Sequence, residues 1–231
     1  MSLSLNSLTV LVTRPEHQAD RLCQLIKQHG GHAIRCPALI ISEPQDWTPA
    51  LAILDRLDRY DLAIFTSANA VDRAMPLIQQ RCGLPPRLEI AAIGKATTQA
   101  LARYGITPHL QSAQCFTSET LLALLRLQQH TVVGQSIAIL RGEGGRGLLA
   151  ETLSARGARV DHAEVYRRER PTADITALLE RWWRGEIGAV VITSGESLLN
   201  LFDMLGVAGQ DYLRETPLIV VSVRIKHIAA A

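Results

Sequence analysis

The chain has 231 residues, 47% hydrophobic and 20% charged, with a formal net charge of +2, a balance that suits one or two globular domains with a sizeable core. So small a charge, with aromatics at 4%, argues against nucleic-acid binding through basic patches and stacking platforms. No apolar run in the sequence is long enough to span a bilayer, so no membrane partner is expected.

In chain order, MSLSLNSLTV carries neither the basic nor the apolar block of a signal peptide. The first element is the apolar strand TVLV, which ends at Thr13-Arg14. A helix follows, with Ala19, Leu22, Cys23, Leu25 and Ile26 assigned to one face and Gly30-Gly31 as its stop. His29, His32 and Cys36 have a spacing open to metal binding, but Arg156 and Arg159 occupy the matching positions of a later segment. Basic side chains at a helix C-terminus suit its dipole, so no metal site is expected. Cys23, Cys36, Cys82 and Cys115 form no C-x-x-C and no closely spaced framework, and they read as reduced thiols of a cytoplasmic protein.

IRCPALIIS leads to the helix PALAILDRL, and DLAIFTSANAV is a strand ending in Thr66-Ser67 with a helix from Ala68. EIAAIGKATTQAL repeats that arrangement at Gly94-Lys95 and Thr97, then runs through Gly105 and Thr107-Pro-His-Leu110 to a helix capped near Ser118. At AILRGEGGRGLL the pattern begins again, at an offset of about 127 residues. Arg14 falls on Arg141, Leu22 on Leu149, Gly30 on Gly157, and Thr66-Ser67 on Thr193-Ser194. EIAAIGKATTQAL pairs with PLIVVSVRIKHIA, placing Ser222 at the last strand end. The chain is most simply two copies of one α/β unit, with crossovers that imply parallel sheets. On the helix TALLERWWR, one of Trp182 and Trp183 is expected in the core and the other partly exposed. The second copy stops at Ala231, inside the helix after Ser222, so a final strand and helix are expected to be missing and a sheet edge uncovered.

In open parallel sheets ligands sit at the carboxyl ends of the strands. Gly142, Gly144 and Gly147 spell G-x-G-x-x-G, a dinucleotide turn for which Glu164 or Glu169 could supply the ribose-binding acid. The matching turn, Arg14-Pro-Glu-His-Gln-Ala19, has no glycine. What both copies share is an arginine at a strand end beside a helix start, a general carboxylate or phosphate site. Thr66, Ser67, Ala68, Lys95, Thr97, Ser194, Gly195 and Ser222 add hydroxyls, a cation and helix-start N–H groups. Plain helix capping is the other reading of the serines. Tyr166 is a phenol, protonated at neutral pH, and reads either as a proton donor or as a tyrosine bridging core and solvent.

LVTRPEHQADRL, DLAIFTSANAV, AAIGKATTQALARYGI, ILRGEGGRGLLAETLSARGARV, VYRRERP, VVITSGESL and LIVVS, in this order, resemble the uroporphyrinogen-III synthases, most closely the gamma-proteobacterial type. The resemblance implies an α/β fold of two similar parallel-sheet domains joined by a two-stranded β-ladder, with a cleft between them. It places residues 1–36 plus 167–231 in one domain and 37–166 in the other, crossing at IRCPALIIS and RVDHAEVYR. It further implies a cytoplasmic lyase of tetrapyrrole and heme biosynthesis, without a cofactor, that closes hydroxymethylbilane to uroporphyrinogen III with ring D inverted and water lost. By the same resemblance Tyr166 is the acid, and Ser67, Thr97, Ser194 and Ser222 are cleft positions. Arg14 and Arg141 come from the repeat. The family usually has an acidic residue where Val223 stands, and it continues beyond Ala231. A monomer is expected, binding a polycarboxylate tetrapyrrole. A non-catalytic binder of such a polycarboxylate is the alternative, and a nucleotide-dependent enzyme comes third.

Overall fold

The computed structural model describes residues 4–111 and 118–230; Cys115 lies outside them. The chain runs β1 (Thr9–Val12), α1 (Glu16–Gln28), β2 (His32–Arg35), β3 (Ile40–Ser42), α2 (Thr48–Leu54), β4 (Leu62–Phe65), α3 (Ala68–Gln80), β5 (Glu89–Ala92), α4 (Lys95–Ala102) and β6 (Leu110–Gln111). It continues with α5 (Ser118–Leu122), α6 (Gln129–Val132), β7 (Ser136–Gly142), α7 (Leu148–Ala155), β8 (Arg159–Glu169), α8 (Thr176–Trp183), β9 (Ala189–Ile192), α9 (Gly195–Glu215), β10 (Leu218–Val220) and α10 (Val223–Ala230). By contacts the chain divides into two units, residues 1–41 with 168–231 and residues 42–167. The boundaries fall inside β3 and at the end of β8.

The first unit holds a four-stranded sheet in the order β10-β9-β1-β2, and the other sheet is six-stranded, β3-β8-β7-β4-β5-β6. The pairings of β1 with β2 and β9, of β9 with β10, of β4 with β5 and β7, of β5 with β6 and of β7 with β8 are all parallel. Strands buried on both faces must be apolar throughout. LAIF of β4 and AVVI of β9 are buried at every position.

The duplication is interlocked. Within each sheet the first two strands of one copy pair with the later strands of the other: β1 with β9, and β7 with β4. The registers match as well. Val10 faces Ala189 and Leu11 faces Val190, while Ile137 faces Leu62 and Ala138 faces Ala63, the same pairs displaced by the repeat. Neither copy alone therefore contains a complete sheet.

Alternation along the strands divides each core. In the first unit Leu11, Val190 and Ile192 face a cluster with Leu178, Trp182, Leu198, Leu201 and Ile225, from α8, α9 and α10. Val10, Val12 and Val191 face the other way, onto Ala19, Cys23 and Ile26 of α1. Helices thus cover both faces, and each fully buried leucine or isoleucine contributes about 1.5–3 kcal/mol of transfer energy. In the other unit Leu62, Ile64, Ile137 and Ile139 pack with Leu121, Leu149 and Leu153 of α5 and α7, and α3 lies against β4 and β7.

Two expectations change. Leu25 is 43% exposed, because at 100° per residue it falls on the flank of the stripe formed by Ala19, Cys23 and Ile26. IRCPALIIS is not one strand: β2 stops at Arg35 and β3 starts only at Ile40. Pro37, between them, has no N–H to donate to a ladder. Trp182 is 4% exposed and Trp183 is 75% exposed, and the Trp182 indole N–H donates to Thr216 Oγ1 at 2.8 Å. No helix among the described residues is long and apolar enough to cross a membrane.

Candidate functional site

In the unit of residues 42–167 the strand ends carry most of the expected groups. At the end of β4 the Thr66 hydroxyl donates to the Leu140 carbonyl at 3.1 Å. Ser67 has extended backbone (φ −159°) and caps α3, its Oγ accepting from the Ala70 N–H at 3.1 Å. At the end of β5 the chain turns through Gly94 at φ +94°, a left-handed conformation that favours glycine. Lys95 is the exposed first residue of α4. Thr97 is buried, with its hydroxyl donating to the Ile93 carbonyl at 2.5 Å.

Tyr166, on β8, is 4% exposed. Its hydroxyl lies 3.1 Å from Ser67 Oγ, so the fold joins two expected site residues separated by 99 positions. The Tyr166 carbonyl accepts from the Glu143 N–H at 2.8 Å. His162 lies earlier on β8, opposite Ile139 of β7. Burial, reinforced by the charge of Arg141, lowers the His162 pKa, while Glu164 and Asp161 oppose that shift.

Arg141 is turned back onto its own strand end. It is 7% exposed, and its guanidinium is enclosed by the glycine turn. Nε donates to the Gly142 carbonyl at 3.2 Å and Nη1 to the Arg146 carbonyl at 3.4 Å, and a Cβ added to Gly145 would overlap the guanidinium. Glu164 Oε1 stands 3.9 Å from Nε. The arginine braces the turn. The hydroxyl protons of Thr66 and Thr97 are likewise spent on backbone carbonyls.

The dinucleotide reading of this turn also meets an obstacle. α7 begins at Leu148, and the Glu151 carboxylate folds back so that a Cβ on Gly147 would collide with it. A pyrophosphate at that helix start would meet a negative charge.

The strand ends of the first unit follow the same plan. Thr13 is buried and donates to the Val191 carbonyl at 2.9 Å. Arg14 is half-buried and donates from Nη2 to Gln18 Oε1 at 3.2 Å; its buried Nε has no hydrogen-bond partner among the described residues. Ser194 caps α9 as Ser67 caps α3, accepting from the Ser197 N–H at 3.0 Å. Gly195 is buried where a Cβ would stand 2.6 Å from Ile228 Cδ1. Ser222 accepts from the Ile225 N–H at 3.4 Å, at the start of α10.

Among the described residues no group of three or more His, Cys, Asp and Glu is placed to hold a metal ion. Two further groups lie beside Tyr166. Gly142, which the sequence marks only as a turn glycine, stands opposite Tyr166 in register. Glu143 holds the Gln45 N–H at 2.6 Å, tying the segment after β3 to the turn after β7. No spacing in the sequence signals that contact.

Parallel α/β sheets with capped helix starts at their strand ends, and a buried tyrosine beside one cap, define an α/β protein of the open parallel-sheet class. A model of the family described as Uroporphyrinogen-III synthase HemD matches residues 20–229. The chain is 34% identical to the uroporphyrinogen-III synthase of Escherichia coli (strain K12), over 96% of this chain and 90% of that protein. It is 31% identical to that of Salmonella typhimurium, with the same coverage of each. Among solved structures, a mutant uroporphyrinogen III synthase from Thermus thermophilus superposes with a TM-score of 0.59 at 19% identity, covering 96% of both chains. The enzyme from Helicobacter pylori gives 0.52 at 14% identity, covering 96% of this chain and 98% of that one. The two share the fold. The chain belongs to the uroporphyrinogen-III synthase family.

Proposed function

We propose that this chain cyclises hydroxymethylbilane to uroporphyrinogen III, as a lyase that removes water and inverts ring D. The observation that carries the mechanism is the 3.1 Å contact between the Tyr166 hydroxyl and the helix-capping Ser67. The Ala70 N–H already donates to Ser67 Oγ, so the serine proton is free to turn toward the phenolic oxygen. The phenolic proton then points away from Ser67, toward substrate. Tyr166 delivers it to the departing hydroxyl: the carbon–oxygen bond breaks, its electron pair leaves with water, and the pyrrole nitrogen lone pair fills the vacated carbon. Ring closure releases a proton that returns the phenolate to phenol.

Positioning accounts for the rest, because the unguided substrate closes to the type I isomer. The substrate carboxylates call for donors, and in the unit of residues 42–167 the helix starts at Ser67-Ala68 and Lys95 supply N–H groups that helices leave unpaired; in the other unit those at Ser194-Gly195 and Ser222 offer the same chemistry. Arg14 adds a guanidinium. Holding the reacting termini in one pose lowers the barrier by removing rotational freedom before the chemistry. Supplying hydroxymethylbilane and resolving the type III from the type I isomer tests this; type I alone, at the spontaneous rate, contradicts it.

A further inference from the structure

We propose that the glycine turn after β7 is the seat of Tyr166, with Gly142 and Arg141 as positioning residues for its phenol. The inference rests on the reading of Tyr166 as the acid. Pairing of β7 with β8 runs one to one from Ser136 opposite Arg159 to Arg141 opposite Glu164, then slips so that Gly142 faces Tyr166. The extra residue on β8 is a bulge, a device that re-aims a side chain. It draws Tyr166 back beside the last residue of β7.

The seat is the bare Cα of Gly142. A Cβ there would stand 2.6 Å from Tyr166 Cε2 and Cζ and 3.0 Å from the hydroxyl oxygen, closer than carbon atoms pack. Backbone conformation does not ask for glycine here, since Gly142 is absent from the left-handed glycines, which include Gly144 at φ +65°. The demand is therefore steric, and it comes from the tyrosine ring. Arg141 fixes the seat through its Nε–H to the Gly142 carbonyl at 3.2 Å. The Glu143 N–H holds the Tyr166 backbone at 2.8 Å. Ser67 Oγ stands 3.1 Å from the phenolic oxygen at the far end of the ring. The ring is gripped at its face, its backbone and its tip, as an acid that must meet one leaving oxygen requires.

The test is a double-mutant cycle on the full-length protein with Gly142→Ala and Tyr166→Phe, read as kcat and KM for type III product. The seat predicts that Gly142→Ala lowers kcat roughly 10- to 100-fold with KM changed by less than about threefold. Added to Tyr166→Phe, the alanine lowers kcat no further, because the group it misplaces is already gone. A Gly142→Ala enzyme with wild-type kcat, or losses that multiply in the double variant, overturns the seat. A Tyr166→Phe enzyme with wild-type kcat overturns instead the underlying assignment of the acid, so the two failures are distinct. If Gly142→Ala does not fold, Arg141→Met enters the same cycle. It removes the Nε–H held by the Gly142 carbonyl, and the same kcat loss, absent on the Tyr166→Phe background, is expected of it.

Discussion

Replacing Tyr166 with phenylalanine removes one oxygen and leaves the ring in place under Gly142. Among the described residues the hydroxyl makes one hydrogen bond, with Ser67 Oγ at 3.1 Å, and Ser67 keeps its bond from the Ala70 N–H. Only the half-buried Ser67 hydroxyl loses an acceptor, so the loss of stability stays at about 0.5–1.5 kcal/mol, the net worth of one hydrogen bond. In a chain of this length that lowers the melting temperature by a few degrees, at about 2–4 °C per kcal/mol. The activity falls much further. Removing a general acid costs about 10²–10⁴-fold in kcat, roughly 3–5 kcal/mol of barrier at 1.36 kcal/mol per tenfold. The carboxylate-holding groups are untouched, so KM stays within about threefold. The assay stops the reaction at intervals, oxidises the products and separates the isomers chromatographically, with spontaneous type I product measured alongside. A folded Tyr166→Phe protein that makes type III product within about threefold of the wild-type rate refutes the assignment.

Ser67→Ala removes the α3 cap and the partner of the phenol together; it costs about 0.5–2 kcal/mol of stability and lowers kcat less than Tyr166→Phe, which thermal melts and the same isomer assay compare. The interlocked sheets predict that a fragment of residues 42–167 gives a dispersed NMR spectrum. A fragment of residues 1–127, the whole first copy, does not, because its β1 lacks β9 and its β4 lacks β7; two equally folded fragments would disprove the exchange. Tyr60 donates to Asp161 Oδ2 at 2.8 Å, and burial, then that bond, push its pKa up to about 12 from 10.0. The neutral phenol is thus favoured in the folded state, and its contribution is complete below pH 10 and lost as pH climbs toward 12. Denaturant unfolding should lose stability across that window less steeply in Tyr60→Phe than in wild type, and parallel slopes would refute it.

Much of this architecture is legible in the residues because it follows from local rules. An apolar run of four that ends in Thr-Ser before a helical stripe admits few structures, and two such runs at one offset give two parallel α/β assemblies. The Trp182-Trp183 pair resolves by helical period alone. The exchange of halves between sheets is not written in the residues, since β4 and β9 are equally apolar partners for β1; the resemblance carried it. Leu25 shows that an apolar side chain beside a stripe does not belong to it. Arg141 shows a different limit. An arginine at a strand end before glycines has the same letters whether it awaits an anion or is wrapped by the turn, and only the placement of Gly145 against its guanidinium distinguishes the two. Gly142 likewise carries no sign that a tyrosine 24 residues later, by sequence number, will lie against it.

The central claim is turnover with control of the isomer, and a single-turnover experiment with the full-length chain in excess over hydroxymethylbilane tests it most directly. Type III product is expected to form in a burst whose rate rises with chain concentration and saturates. Saturable binding of the substrate with no type III product, and type I formed no faster than in buffer, would instead describe a polycarboxylate binder and contradict it.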